Sequence, residues 1–213
     1  MVIFDVDGTL IKGTSCEKLF FRHLQNTNKL KIKHLINFGL NGIALARYGK
    51  SYIVKANKGY LRGFDVDYIK ELGKEHFETH VKSRISQKGI DKMLQHKTKG
   101  EKVVLLSGMP EFLLNNFSDY LKIEQAFGSV LKINNHKLTG GTIGVFPLGR
   151  GKVKTIETLL SKNSLTWSEI TAYADHYLDR FHLEKVGNPI AVNPDDRLRQ
   201  LAQTNNWPIE IFD

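Results

Sequence analysis

Two carboxylates, Asp5 and Asp7, stand two residues apart where the β-branched-rich run Val2 to Val6 gives way to Gly8. At the end of a strand such a pair points into one crevice. One carboxylate can then attack as a nucleophile while the other handles protons. Both would work against a phosphate dianion, and like charges repel. A divalent cation resolves the conflict by bridging carboxylate and phosphate oxygens, and Mg²⁺ prefers such ligands. Gly8 permits the tight turn. The string is not a calcium-binding EF-hand loop, because Gly8 comes two positions too early and no Glu follows at the twelfth place.

The elements that must position this pair are legible as alternating patterns. Val2 to Val6 predicts a buried strand ending in a turn, and Lys102 to Leu106, ending at Ser107-Gly108, predicts a second. Ile170 to Ala174, Pro189 to Val192 and Pro208 to Phe212 predict three more. Helical spacing marks Pro110 to Leu121, Lys152 to Ser161 and Pro194 to Thr204, and Asn134 to Thr142 predicts a small hairpin. Strands alternating with helices imply a parallel sheet covered on both faces, with ligands bound beyond the carboxyl ends of its strands. Asp5, Ser107 and Asp175 each fall at such an end.

From Lys12 to Lys99 the apolar residues recur at helical spacing and strand signals vanish, so this segment is expected to be an all-helical insert. It also carries the charge. The chain has 31 Lys+Arg against 22 Asp+Glu, a net +9, and residues 13–99 alone hold 18 against 7. Such an excess attracts anions, although solvated lysine faces are the commoner reason for one. No run reaches the roughly 18 apolar residues of a membrane helix. The start of the chain lacks the pattern of a signal peptide. The single cysteine, Cys16, excludes an intrachain disulfide. A cytoplasmic protein with no membrane span is expected. His76 and His80 are four apart, a spacing that can bind zinc, but with no third ligand in view they are read as a solvated helix face. Cys16 is read as a small residue of the insert.

The string Asp5-Val6-Asp7-Gly8-Thr9-Leu10 resembles the first motif of the haloacid dehalogenase superfamily, and three further motifs follow in order. Leu105-Leu106-Ser107-Gly108 is similar to the second, whose hydroxyl and neighbouring amides would hold phosphate oxygens. Gly151-Lys152-Val153 is similar to the third, whose ammonium would offset charge on Asp5 and on the phosphoryl group. Lys154 is the alternative lysine. A P-loop fits poorly, with Phe146 in place of its first Gly and Val153 in place of Ser/Thr. Ala172 to Asp179 resembles the acidic fourth motif. There Asp175 would complete a metal site with Asp5 and the Asp7 carbonyl, and Asp179 would brace it. Ala174 and His176 depart from the family's usual Gly and small hydroxyl residue, and His176 is read as tolerated at the rim. Glu184 to Leu201 and the position of the helical insert resemble the phosphoserine phosphatase-like branch.

The resemblance implies an α/β protein with a Rossmann-like core (1–11 and 100–213) and a helical cap (12–99). It implies a Mg²⁺-dependent phosphatase acting on a small phosphorylated metabolite through an aspartyl-phosphate. Asp5, Asp7 and Lys152 are its expected catalytic residues. Ser107, Gly108 and Lys152 would bind phosphate, and Asp5, Asp7, Asp175 and Asp179 the metal. Phosphoserine phosphatase proper is one alternative. In that branch a Glu soon after the first motif and a cap Arg recognise the amino acid, whereas Thr14 stands at the expected place, with Glu17 three residues later, and Arg47 and Arg62 are the cap arginines. Phosphoryl transfer to a second hydroxyl is a rival reaction. An anion- or nucleic-acid-binding protein using the basic cap is the rival outside enzymes, and the complete motif set argues against it. Nothing in the sequence signals an oligomeric state.

Overall fold

In the computed structural model the apolar run that precedes the carboxylates becomes the central strand of the protein. The structure describes every residue except Lys12, Lys50, Ser51, Tyr52, Val54 and Asp213. Lys12, the first residue of the expected insert, thus lies outside the described residues. The chain order is β1 (Val2–Phe4), α1 (Cys16–Asn26), α2 (Ile32–Leu45), α3 (Val66–His76), α4 (Gln87–Thr98), β2 (Val103–Pro110), α5 (Glu111–Leu121), β3 (Gln125–Asn134), β4 (Lys137–Ile143), α6 (Arg150–Asn163), β5 (Thr171–Ala174), α7 (Arg180–Leu183), β6 (Asn188–Val192), α8 (Asp196–Thr204) and β7 (Ile209–Glu210). The strands form one sheet in the order β4-β3-β2-β1-β5-β6-β7. All neighbours are parallel except the β3–β4 pair. This is the parallel sheet that the alternating pattern implied and the Rossmann-like core that the resemblance implied.

Strand parity divides the interior in two. Val2, Phe4, Val103, Leu105 and Tyr173 face one side, while Ile3, Val104, Leu106, Ala172 and Ala174 face the other. Both sides are buried, so these strands read as continuous apolar runs. The second face is covered by α6 through Ile156, Leu159 and Leu160, by α7 through Leu183, and by α8 through Leu198 and Ala202. The first face packs on α4, on α5 through Leu113 and Phe117, and on the insert through Phe20, Leu24, Ile69 and Leu72. Core and insert therefore share one apolar cluster.

Between residues 13 and 99 the described elements are helical, including a π-turn at Phe77–Val81 that prolongs α3. The last of them, α4, sits on the sheet. The Ser86 hydroxyl caps α4 and donates to the Phe212 carbonyl, Lys92 lies 3.0 Å from Glu210, and His96 meets the Tyr173 hydroxyl at 2.8 Å. Its position in sequence groups α4 with the insert, but its contacts are with the β1, β5 and β7 region.

Three local readings change. Strand β2 runs past Leu106 through Ser107 to Pro110, and its register with β3 shifts between Leu106 and Pro110. Pro110 is consequently the residue before α5 and not part of its first turn. The hairpin expected over Asn134 to Thr142 turns at Asn135-His136, both at positive φ (46° and 61°), and its arms are the longer strands β3 and β4. A two-residue turn needs two left-handed residues, and Asn accepts that conformation readily. Strand β3 was missed because its Lys132-Ile133-Asn134 end is exposed and breaks the apolar pattern. Among the described residues no helix is long and apolar enough to cross a membrane.

Phe4 is wholly buried and stacks flat on Tyr173 with centroids 4.3 Å apart. Phe4→Ala is therefore expected to cost about 3–5 kcal/mol of stability. Urea unfolding of the purified variant measures this, and a loss below about 1 kcal/mol would contradict the central placement of β1.

Candidate active site

Four chain segments meet at the carboxyl edge of the sheet. The Asp5 amide donates to the Tyr173 carbonyl at 2.9 Å, which fixes this buried residue just beyond β1. The first turn of α6 brings Lys152 inward, 3% exposed, with Nζ 2.8 Å from Asp5 Oδ1 and 2.7 Å from Asp179 Oδ1. Gly151 makes that approach possible, since a Cβ there would lie 1.8 Å from the Phe146 carbonyl oxygen. Burial by itself would lower the Lys152 pKa, but the charges of Asp179 and Asp5 outweigh it and raise it. The ammonium is held between two carboxylates. Lys154, the alternative lysine, points to solvent.

Asp175 follows β5. Its Oδ1 is buried with no hydrogen-bond partner among the described residues. Burial, together with the charges of Asp5 and Asp179, pushes its pKa well above the usual carboxylate range. One oxygen each from Asp5, Asp175 and Asp179 lies within 4.8 Å of the other two. Three carboxylates share a single ammonium, so the site has an excess of negative charge and an orphaned oxygen. An all-oxygen donor set of this kind fits a hard dication such as Mg²⁺. Gly8 turns the chain at φ 79°, and a Cβ on it would lie 2.0 Å from Asp175 Oδ2. The turn and the third carboxylate thus fit together only with glycine between them.

Asp7 accepts a 2.8 Å hydrogen bond from the Cys16 amide at the start of α1. Burial lifts its carboxyl to about 7 against that bond, with repulsion from Asp5 and Glu17 adding to the rise. A group that exchanges its proton near neutrality therefore stands two residues from Asp5. Ser107 is 2% exposed, and its Oγ accepts from the Met109 amide at 3.3 Å.

The loop after β6 supports these residues from behind. Asn193 donates to the Gly8 carbonyl at 3.1 Å. The Asp195 amide donates to the Asp175 carbonyl at 2.9 Å, while its carboxylate accepts from the amides of Tyr177 and Leu198. His176 accepts from the Leu178 amide at 3.0 Å and so caps the turn that carries Asp179. It is not among the described residues that line the cavity, and its visible role is to shape the acidic turn.

Asp5, Asp7, Ser107, Gly108, Lys152, Asp175 and Asp179 all line one cavity of about 700 Å³. The insert supplies the opposite wall, with Lys18, Phe21, Phe38, Lys55 and Tyr60. One feature there has no signature in the sequence. Lys58 is completely buried and paired with Glu17, whose other oxygen accepts from the Tyr60 hydroxyl at 2.9 Å. Nothing in the run around Lys58 distinguishes it from an exposed lysine. Thr14 and Glu17 line the cavity, whereas Arg47 and Arg62 are exposed and do not.

The reading of His76 has to be corrected. It is 0% exposed, with burial pushing its pKa down to about 4, and only His80 of the pair faces solvent. Helix α3 packs on α1 and brings in a third histidine, His23, from far away in sequence.

The family model for haloacid dehalogenase-like hydrolases matches residues 2–184. The chain belongs to this family. Among curated relatives, a Mycobacterium tuberculosis protein named phosphoserine phosphatase is 29% identical over 98% of this chain and 70% of its own length. The fold is shared with a protein of unknown function from Bordetella pertussis Tohama I, at a TM-score of 0.86 and 18% identity, covering 100% of this chain and 98% of the other. It is also shared with a structure described as a phospho-aspartyl intermediate analogue of phosphoserine phosphatase, at 0.62 and 18% identity, covering 100% and 92%.

For this haloacid dehalogenase-like hydrolase, Gly8→Ala should drive Asp175 out of place. Displacing a reacting group by about 1 Å costs on the order of a hundredfold in rate. Steady-state hydrolysis of an aryl phosphate, with melting curves to confirm folding, measures the effect. A folded variant at the wild-type rate would refute the close packing of Gly8 on Asp175.

Proposed function

We propose that the protein is a Mg²⁺-dependent phosphatase that takes the phosphoryl group of a small phosphomonoester onto Asp5 and then hydrolyses the aspartyl-phosphate. The observation that carries this reading is the pairing of two unlike carboxylates. Asp5 is ion-paired to Lys152, while burial lifts the carboxyl of Asp7 beside it to about 7. A carboxylate partnered by an ammonium suits a nucleophile, and a buried acid beside it suits a proton donor.

In the proposed reaction the free oxygen of Asp5 attacks phosphorus. Asp7 gives its proton to the leaving alcohol oxygen, and as a carboxylate it then takes a proton from the water that attacks the acyl phosphate. Phosphate leaves and Asp5 is restored. Lys152 offsets charge on Asp5 and on the phosphoryl oxygens, and the Ser107 hydroxyl and Gly108 amide take phosphate oxygens. Asp5, Asp175 and the Asp7 carbonyl would hold Mg²⁺, with Asp179 bracing the site, and the ion would neutralise charge between carboxylate and phosphate.

The cap in this reading is the segment between Gly13 and Ile85, which closes the cavity from above and excludes water. Helix α4 is assigned to the core because its polar and apolar contacts lie on the sheet side. Phosphoserine is not the favoured substrate. A carboxylate that receives an ammonium must be open to it, and Glu17 is already bonded to Lys58 and Tyr60. The walls offer Phe21, Phe38, Met109, Leu148 and Leu178 instead, which suits a phosphomonoester with an apolar body.

Asp5→Asn is expected to lower phosphate release from an aryl phosphate by several orders of magnitude while the circular dichroism spectrum is unchanged. A variant that keeps more than about a tenth of the wild-type rate would remove Asp5 from the nucleophile's role. Activity should vanish with EDTA, return with Mg²⁺ and return poorly with Ca²⁺, whose looser sphere misplaces the reactants. Equal Mg²⁺ affinity in wild type and Asp175→Ala would rule out the ligand set.

Lys18 and Lys55 line the cavity, and the +11 segment around them is expected to steer anions inward. Steering acts on the on-rate, so kcat/KM should fall as salt rises while kcat stays nearly constant. Salt-independent kcat/KM together with tight, salt-sensitive retention on DNA or RNA would favour the nucleic-acid-binding alternative instead.

A further inference from the structure

The helical segment holds a second cluster of potential ligands, outside the cavity described above. His23 of α1 is 6% exposed, and His76 at the end of α3 is 0% exposed. His80 lies on the π-turn and faces solvent. The ring centroids are 5.6 Å apart for His23 and His76, 5.2 Å for His23 and His80, and 5.5 Å for His76 and His80. One ring nitrogen of each lies within 4.8 Å of the other two.

Two of these nitrogens lack partners. His23 Nε2 and His76 Nδ1 are buried with no hydrogen bond among the described residues. An unsatisfied buried polar atom costs about 1–3 kcal/mol, and two of them within one cluster need a common cause. His76 supplies a further clue, because its other nitrogen, Nε2, meets the Cys16 carbonyl oxygen at 3.3 Å. A neutral ring that donates from Nε2 to that carbonyl keeps its lone pair on Nδ1, the nitrogen left unpartnered. Metal-ligating histidines are commonly oriented by such a bond from the far nitrogen to a backbone carbonyl.

We propose that His23, His76 and His80 form a transition-metal site, suited to Zn²⁺, that fastens α1 to α3. Three imidazoles and one water complete a tetrahedral sphere of the kind Zn²⁺ takes. Zn–N bonds of about 2.0–2.1 Å require ligand nitrogens roughly 3.4 Å apart. The 4.8 Å limit on the cluster accommodates that spacing, and the exposed His80 is the member free to adjust to it. The π-turn that carries it is the kind of helix irregularity that recurs at functional sites. Glu75 and Glu78 line the groove beside His23 and add negative charge that favours a cation, opposed by Lys29 and Lys74 at the same groove.

Cobalt titration of the metal-stripped full chain tests the proposal, since tetrahedral Co²⁺ absorbs visibly and octahedral Co²⁺ scarcely does. One equivalent should give an intense visible band that one equivalent of Zn²⁺ abolishes, and Zn²⁺ should raise Tm. His80→Ala should lose both the band and the Zn²⁺-dependent rise. His80→Cys should restore the band with an added sulfur-to-metal charge-transfer feature. Asp175→Ala, which alters only the carboxylate site, should keep the band. The proposal is overturned if wild type gives no visible band, or if His80→Ala keeps it while Asp175→Ala loses it.

Discussion

A buried ammonium held between two buried carboxylates is the interaction on which the rest of this structure depends. Lys152 reaches Asp5 at one side and Asp179 at the other, and all three are nearly inaccessible to water. Burying charges costs several kcal/mol per ion unless geometry and hydrogen bonds return it, and removing one partner leaves the others unpaired. The three residues come from the end of β1, the first turn of α6 and the turn after β5, so the sheet order must bring those segments together before any of the charges is compensated. Asp175 adds a further carboxylate whose Oδ1 has no partner among the described residues. Folding alone thus leaves the site short of positive charge, which is the physical basis for its fit to a dication.

The insert is joined to the core by packing as well as by sequence. Gly73 of α3 abuts Phe112 and Leu113 of α5, and Phe20 and Leu24 of α1 belong to the same apolar cluster as Phe4 and Leu105. The amide of Cys16 at the start of α1 holds Asp7, so α1 contributes to the floor of the cavity as well as to the insert. Helix α2 is held differently. It buries only His34 and exposes Ile32, Ile36, Leu40 and Ile43. Its other face is tied to the cavity wall, where Phe38 meets the Tyr60 ring and Asn41 donates to Asn57 at 2.9 Å.

The positive charge of the cap is distributed between two roles. Lys58 is consumed in neutralising Glu17 within the cavity wall, while Lys18 and Lys55 remain on the cavity surface. The field of Lys55 reaches the floor, where it opposes the rise of the Asp7 and Asp175 pKa values. The wall that faces a substrate is therefore basic at its lining lysines and apolar between them, and the acidic residues are confined to the floor and to the Glu17 pair.

The sequence by itself determined the core architecture and which motif residues would meet in one cavity. Strand parity in Val2-Ile3-Phe4 and Val103 to Leu106 is a local property, and so is the Gly that must follow Asp7 at a tight turn. The seven residues named from the four motifs converge on one cavity because five of them follow a strand or open a helix at one edge of the sheet, while Ser107 and Gly108 lie at the register shift within β2. What only the tertiary structure decided depends on partners distant in the chain. Lys58 is a lysine among many until Glu17, 41 residues earlier, is brought against it. His76 looked solvated until α1 placed His23 beside it. Helix α4 has the spacing of its neighbours in the insert, and only its contacts with Glu210 and Tyr173 place it on the sheet. Periodicity records which face of an element is apolar, but it does not say which other element that face will meet.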